Sequence, residues 1–375
     1  MRNFFILLFT LCFVMCAPRQ SDNTISVDLD HPEKASLFDY FSSIELIPLE
    51  TSSDALVQAL TKVVEHEDKY YALDKPQCLI FVFDKAGKFL YKIGTKGQGA
   101  GEYAFISDFN INPFSGNLEI LEPYGRIHVY SLLGDFIETK RISYPEFKVA
   151  HSLAALDNDI YVSHSLFEPK KIAYFDLNKQ ELLHEEFEED MAIGSYSQIP
   201  YQYKDEWFFY RPFHPIVYKI GKKQLEASFK FDFGKYTKDG RTAVLSQEAK
   251  KNFTKNKEEM YAQYSYMIQA VRHNDKYIFA SVLWKDNDHR ANIIYDKSTG
   301  KSKYIIEFDE KVWFNSYRGE EIIVTDQYAI MPIQWVDLEK RVTKEMLNDK
   351  QQIILEKLLQ ADTEQNPILI KYWFK

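Results

Sequence analysis

The sequence predicts an all-β fold: a six-bladed β-propeller of four-stranded antiparallel blades, with an N-terminal strand closing the last blade and two helical insertions. Three observations carry this. A turn of Asp, Asn or Gly followed by an aromatic or aliphatic strand recurs six times, with markers at Tyr70, Leu118, Ile160, Trp207, Tyr277 and Tyr328. The marker spacings are 48, 42, 47, 70 and 51 residues, and periods of about 40–50 residues with four strands each are characteristic of propellers. The aromatic content is 15%, with 25 Tyr and 28 Phe, which suits strands.

Residues 1–15 read as a signal peptide. Arg2 is the sole charge before a run from Phe4 to Met15 that is apolar except for Thr10 and Cys12. The run is short of the ~20 residues a bilayer span needs. It ends at Phe13-Val14-Met15-Cys16, ahead of a polar stretch. This is similar to the bacterial lipoprotein signal, in which the Cys becomes the lipidated first residue, although Met15 replaces the usual small residue. The alternative is an ordinary signal peptide cut near Ala17. Cys16 is the expected lipidation site and residues 16–40 the expected tether, because Pro18, Ser21, Asp22 and Asn23 are poor element formers. Residues 41–375 are the propeller.

Within each unit a second strand follows the marker, as in Ile80-Phe81-Val82-Phe83 and Ile127-His128-Val129-Tyr130. Turns such as Asp84-Lys85-Ala86-Gly87 and Leu132-Leu133-Gly134-Asp135 lead into a third. With the inner strand before each marker, that makes four. The last unit runs out of chain just after Tyr372. Its outermost strand must come from elsewhere, and Ser43 to Glu50 is an otherwise orphan strand. Closure removes open sheet edges, and Pro48 is tolerable on an outermost strand. Two intervals carry helical pattern instead. One starts near Ser246, with Ala249, Phe253, Met260 and Tyr264 on one stripe. The other runs from about Leu338 to Leu359, with Val342, Met346, Ile354 and Leu358.

The stretch from Asp84 to Gly94, followed by Gly97-Gln98-Gly99-Ala100-Gly101-Glu102-Tyr103 and Ile106-Ser107-Asp108-Phe109, resembles the six-bladed β-propeller lipoproteins abundant in Bacteroidetes, a family related to NHL-repeat propellers. The strand before Thr51 and the ending Asn366-Pro367-Ile368-Leu369-Ile370 resemble that family as well. The likeness covers roughly residues 40–375, with Ala100 where the family usually has Pro. It implies a cell-envelope protein, often lipid-anchored, and carries over no catalytic residues.

Composition and motifs exclude several classes. The chain carries 46 basic and 55 acidic residues, a formal charge of −9. Removing residues 1–15 takes Arg2 and no acid, so the balance becomes −10. An acidic surface disfavours nucleic acid as a partner. Three cysteines build no disulfide framework, and Cys78 sits in an apolar strand as a buried, inert thiol. Gly97, Gly99 and Gly101 lack the endings of a phosphate loop and read as a turn needing positive φ. Asp286-Asn287-Asp288-His289 lacks the Gly and the distal Glu of a calcium loop. Histidine spacing supports no zinc site. No cofactor and no metal are expected.

Function then rests on geometry. Inner strands line a central channel, and loops at one end make a funnel. Asp108, His151, Tyr201, Gln269 and Arg318 flank the inner strands of five blades and are the candidate ligand contacts. Arg318 can clamp a carboxylate in two-pronged fashion, or pair with Asp108 or another acid. The expected function is a non-catalytic binding or scaffold lipoprotein of the cell envelope, taking a glycan, peptide or partner protein and held at the membrane through its lipid, with the outer membrane as the expected address. The alternative is a channel-centred lyase or hydrolase.

Overall fold

The computed structural model describes residues 23–142, 149–165, 170–188, 200–237, 266–284, 290–310 and 322–375, with isolated positions between 246 and 259. Six four-stranded blades form a ring. Blade 1 comprises Leu60–His66, Lys69–Asp74, Leu79–Asp84 and Phe89–Ile93. Blade 2 comprises Asp108–Ile111, Leu118–Leu121, Arg126–Tyr130 and Phe136–Arg141. Blade 3 comprises Ser152–Ala155, Ile160–His164, Lys170–Asp176 and Glu181–Glu188. Blade 4 comprises Tyr201–Tyr203, Glu206–Tyr210, Ile216–Ile220 and Leu225–Asp232. Blade 5 comprises Tyr266–His273, Tyr277–Trp284, Arg290–Asp296 and Lys301–Phe308. Each blade is antiparallel. The 1–2 and 3–4 turns therefore lie at one end of the ring, the hairpin end. The 2–3 turns and the links between blades lie at the other, the crossover end.

Blade 6 takes Ile323–Val324, Tyr328–Ile333 and Ile368–Phe374 from the end of the chain and Phe41–Pro48 from its beginning. The closing register runs from Ile368 against Pro48 to Phe374 against Phe41. The residues that carried the family resemblance form its latch. Thr51 Oγ1 accepts from the Asn366 N–H at 2.9 Å, and Asn366 Nδ2 donates to the Glu50 carbonyl at 2.6 Å. Asn366 Oδ1 accepts from the Val57 N–H at 2.9 Å. Blade 1 then leans on this seam. Gly87 has φ +82°, its carbonyl accepts from the Glu50 N–H at 2.8 Å, and an added Cβ would sit 2.1 Å from the Pro48 carbonyl oxygen.

The core lies in the seams between blades. Tyr71, Ile80, Phe109 and Ile120 fill the blade 1–2 seam, and Leu121, Ile127, Tyr161 and Phe175 the blade 2–3 seam. The glycine-rich turn ending Gly101-Glu102-Tyr103 links blades 1 and 2 and is self-capped. Glu102 Oε2 accepts from the N–H groups of Gln98 at 3.0 Å and Gly99 at 2.8 Å. Of the three glycines read as positive-φ positions, only Gly101 has a positive φ, +73°. At Gly97 a Cβ would lie 2.0 Å from Glu102 Oε2, so a side chain there would displace the capping carboxylate.

The 338–359 interval is three short pieces: a helix Leu338–Arg341, a 3-10 turn Lys344–Met346 and a helix Asp349–Leu359. Asn348 caps the last, and Gln351 Oε1 accepts from the Leu46 N–H at 2.8 Å, which ties this helix to the closing strand. Most of the 246–264 interval lies outside the described residues. The tether expectation is corrected from Asn23 onward. Thr24–Ser26 pairs in parallel with the outer strand of blade 4, and Glu33–Ala35 with the outer strand of blade 5. Ile25, Val27 and Leu29 alternate inward at 2%, 4% and 2% exposure. Their burial against the ring outweighs the loop-forming residues before them.

Candidate functional site

Asp108 stands at the start of the blade 2 inner strand, where it knits three blades together. Its Oδ1 accepts from Lys62 Nζ of blade 1 at 2.8 Å, and its Oδ2 from the Leu153 N–H of blade 3 at 3.1 Å. Asn110 completes the network: its Oδ1 accepts from Lys62 at 2.8 Å, and its Nδ2 donates to the Leu153 carbonyl at 2.5 Å. The Lys62 and Asp108 side chains keep only 12% and 10% exposure. The charge of Asp108 is thus spent on the wall of the channel.

The other candidates separate. His151 is half-buried, and its N–H donates to the His164 carbonyl at 2.9 Å. Gln269 sits at a bulge in the blade 5 inner strand. Its carbonyl accepts from the Tyr210 hydroxyl at 2.9 Å, while its Oε1 has no hydrogen-bond partner. Tyr201 turns away from the channel into the blade 4–5 seam, fully buried, with its hydroxyl 2.9 Å from His273 Nδ1. The Arg272 guanidinium lies 4.8 Å from the Tyr201 ring centre and donates from Nε to the Ile322 carbonyl of the chain leading into blade 6 at 3.0 Å. Arg318, Cys16 and the Asp286–His289 run lie outside the described residues.

What Tyr201 supports is a cleft of about 530 Å³ between blades 4 and 5 towards the hairpin end. Its walls are Glu206, Phe208, Lys219 and Phe229 of blade 4, Ile278, Tyr295 and Lys297 of blade 5, and Asn23 to Ile25 of the N-terminal strap. The floor is His273, at 6% exposure. Four rings surround it: Phe208 at 4.4 Å, Tyr203 at 4.7 Å, Tyr201 at 5.7 Å and Phe229 at 5.8 Å between centres. Burial, reinforced by Lys297 and Arg272, pulls the His273 pKa down to about 3, so the imidazole is neutral.

The rim is built from hairpin tips. Lys204 takes φ +53° in the turn between Tyr203 and Glu206. Its Nζ lies 2.8 Å from Asp275 Oδ2 of blade 5 and 3.2 Å from Asp326 Oδ2 of blade 6. The Tyr203 hydroxyl lies 2.9 Å from Asp275 Oδ1 and 2.5 Å from Asp326 Oδ1, so it donates to one of the two at a time. Lys297 Nζ donates to the Asn274 carbonyl at 2.6 Å, and Glu206 pairs with Lys219. Asp275 and Asp326 are two of the recurring turn residues in the sequence. Nothing in the local sequence marks His273, whose partner Tyr201 is 72 positions away. Among the described residues no cluster of three or more His, Cys, Asp or Glu could hold a metal.

Ring, latch and seams define a six-bladed β-propeller closed by its own N-terminal strand. The chain belongs to the family described as "Domain of unknown function (DUF4934)", which matches residues 22–372. Two solved structures share the fold. One is a "Putative exported protein" from Bacteroides fragilis, 18% identical with a TM-score of 0.73, covering 94% of this chain and 99% of that one. The other is a member of the DUF4221 family from Bacteroides vulgatus, 12% identical with a TM-score of 0.55, covering 89% of this chain and 97% of that one. No curated protein matches the sequence.

Proposed function

We propose that this protein is an exported, lipid-anchored propeller that holds a glycan or peptide in the cleft between blades 4 and 5 without transforming it. The cleft itself carries the reading. Its walls come from two blades and the strap, so polar groups from three parts of the chain converge on one ligand-sized volume. Its ionisable groups are committed to one another. Glu206 holds Lys219, Lys297 is bound to a carbonyl, and His273 titrates far below neutrality. General acid–base catalysis wants a group whose pKa lies near the working pH. Export is supported by the apolar run after Arg2 and by the likeness to a protein named as exported. Anchoring is supported by Cys16 at the end of that run.

A second reading places the ligand over the channel at the crossover end, against Asp108, His151, Gln269 and Arg318. The unpartnered Gln269 Oε1 favours it. Labelled protein on glycan and peptide arrays, followed by calorimetry on the hits, separates the two. The Glu206→Gln/Lys219→Gln pair is expected to weaken binding at least tenfold. Binding that survives this pair but is lost in Gln269→Leu or in Arg318→Ala/His151→Ala moves the site to the channel.

A further inference from the structure

We infer that the propeller stands on its membrane with the blade 4 edge towards the lipid surface and blade 1 turned away, an inference that rests on lipidation at Cys16. The carrying observation is where the strap from Asn23 meets the ring. Asn23 Nδ2 donates to the Ser228 carbonyl at 3.0 Å, and the Asn23 carbonyl accepts from the Lys230 N–H at 3.0 Å. Thr24, Ile25 and Ser26 then pair with Lys230, Phe231 and Asp232. Both are on the outer strand of blade 4.

Only seven residue steps separate Cys16 from Asn23. Fully extended, they reach about 25 Å. As a flexible coil they average about 15 Å. A globule of about 340 residues has a radius of gyration near 20 Å and hence a diameter of about 50 Å. The leash is therefore half a diameter at most. Blade 1 lies three blades from blade 4, across the ring. Resting blade 1 on the bilayer would lift Asn23 by about 50 Å, twice what the leash permits.

The strap also has a direction. It runs parallel to the outer strand of blade 4, which leaves its 3–4 turn and travels towards the crossover end. Of the strap residues paired with blade 4, Asn23 is thus the one nearest the hairpin end, the end at which the cleft lies. Three lysines at the hairpin end of blade 4 are already matched. Lys222 pairs with Asp157 at 2.6 Å, Lys204 with Asp275 at 2.8 Å, and Lys219 with Glu206. The posture thus rests on leash length, and added anionic lipid is the control for charge.

The test uses the lipidated full-length protein in phosphatidylcholine vesicles containing a rhodamine headgroup lipid. A donor dye is placed at Lys223→Cys, in the 3–4 turn of blade 4, or at Lys88→Cys, in the 3–4 turn of blade 1. Both positions are exposed and belong to the same end, whereas the native Cys78 is buried. Energy transfer from position 223 is expected to exceed that from 88 at least twofold, and to be unchanged when anionic lipid is added. Inserting twenty Gly/Ser residues between Asp22 and Asn23 is expected to equalise the two. Equal transfer in the native-length protein, or a difference that survives the insertion, overturns the posture while leaving the anchor standing. An N-terminal peptide whose mass shows no acyl chain on Cys16 overturns the anchor and the posture together.

Discussion

Replacing Asp108 by Ala removes the carboxylate that ties blades 1, 2 and 3 together in the channel wall. The Lys62 ammonium would lose its carboxylate partner at 2.8 Å, and the Leu153 N–H would lose its acceptor. Breaking a buried pair by removing one partner costs about 3–5 kcal/mol, because the remaining charge is uncompensated. At about 2.1 cal/mol/K per residue, a unit of about 340 residues has an unfolding entropy near 0.7 kcal/mol/K, so ~4 kcal/mol lowers Tm by about 6 °C. The double variant Lys62→Met/Asp108→Asn removes both charges and keeps an acceptor for Leu153. It is expected within ~2 kcal/mol of the native protein. Calorimetry and urea titration measure both. If Asp108→Ala stays within 1 kcal/mol of native, or the double variant is no better than the single one, the three-blade network does not hold the ring as argued.

Three other outcomes follow from the seams. Gly87→Ala forces φ +82° on an L-residue and drives its Cβ into the Pro48 carbonyl; a loss of about 2 kcal/mol or more in urea is expected, with positive φ alone supplying about 1–2. Asn366→Leu removes three side-chain hydrogen bonds, two donated to the Glu50 and Ala55 carbonyls and one accepted from the Val57 N–H, at 3% exposure, and denaturation should shift by about 2–3 kcal/mol; an unchanged midpoint would count against the latch. His273 has its folded pKa lowered to about 3 from an ordinary 6.5. The unfolded chain therefore binds the extra proton first, and stability falls as pH drops from about 6.5 towards 3, by at most ~1.4 kcal/mol per pH unit. Replacing His273 with Gln should flatten stability against pH in that window, read from urea midpoints at pH 4, 5, 6 and 7.

Blade count and closure were legible because their signals are local. Each hairpin tip carries its own Asp, Asn or Gly, and Ser43 to Glu50 is a strand pattern that none of the six units claims. The strap was legible too, in the alternation of Ile25, Val27 and Leu29, but the Pro, Ser and Asn before it dominate a compositional reading. Site chemistry was not legible in the same way. Lys62 meets Asp108 across 46 positions and Tyr201 meets His273 across 72, and both contacts are made by the ring bringing neighbouring blades together. Tyr201 looks like a channel residue from its place at the start of an inner strand. Which way it turns is decided by the aromatic seam it completes.

The pairing of Phe41 with Phe374 has a consequence for how the chain is made. The closing strand is synthesised well before its partner, which follows about 320 residues later, from Pro48 to Ile368. At 5–20 residues per second, roughly 16–65 s pass between the two, and throughout that time the apolar face of Phe41, Ile44 and Leu46 has no native sheet to join. Five blades can gather hydrogen bonds as they emerge, but none of them can shut the ring. A nascent or C-terminally clipped chain is therefore a near-complete molecule with two sticky strands, one at each lip of the gap. Such a chain can be satisfied by a neighbour as well as by itself. Loss of the last eight residues would then show first as chain-to-chain association, and only afterwards as loss of blade structure.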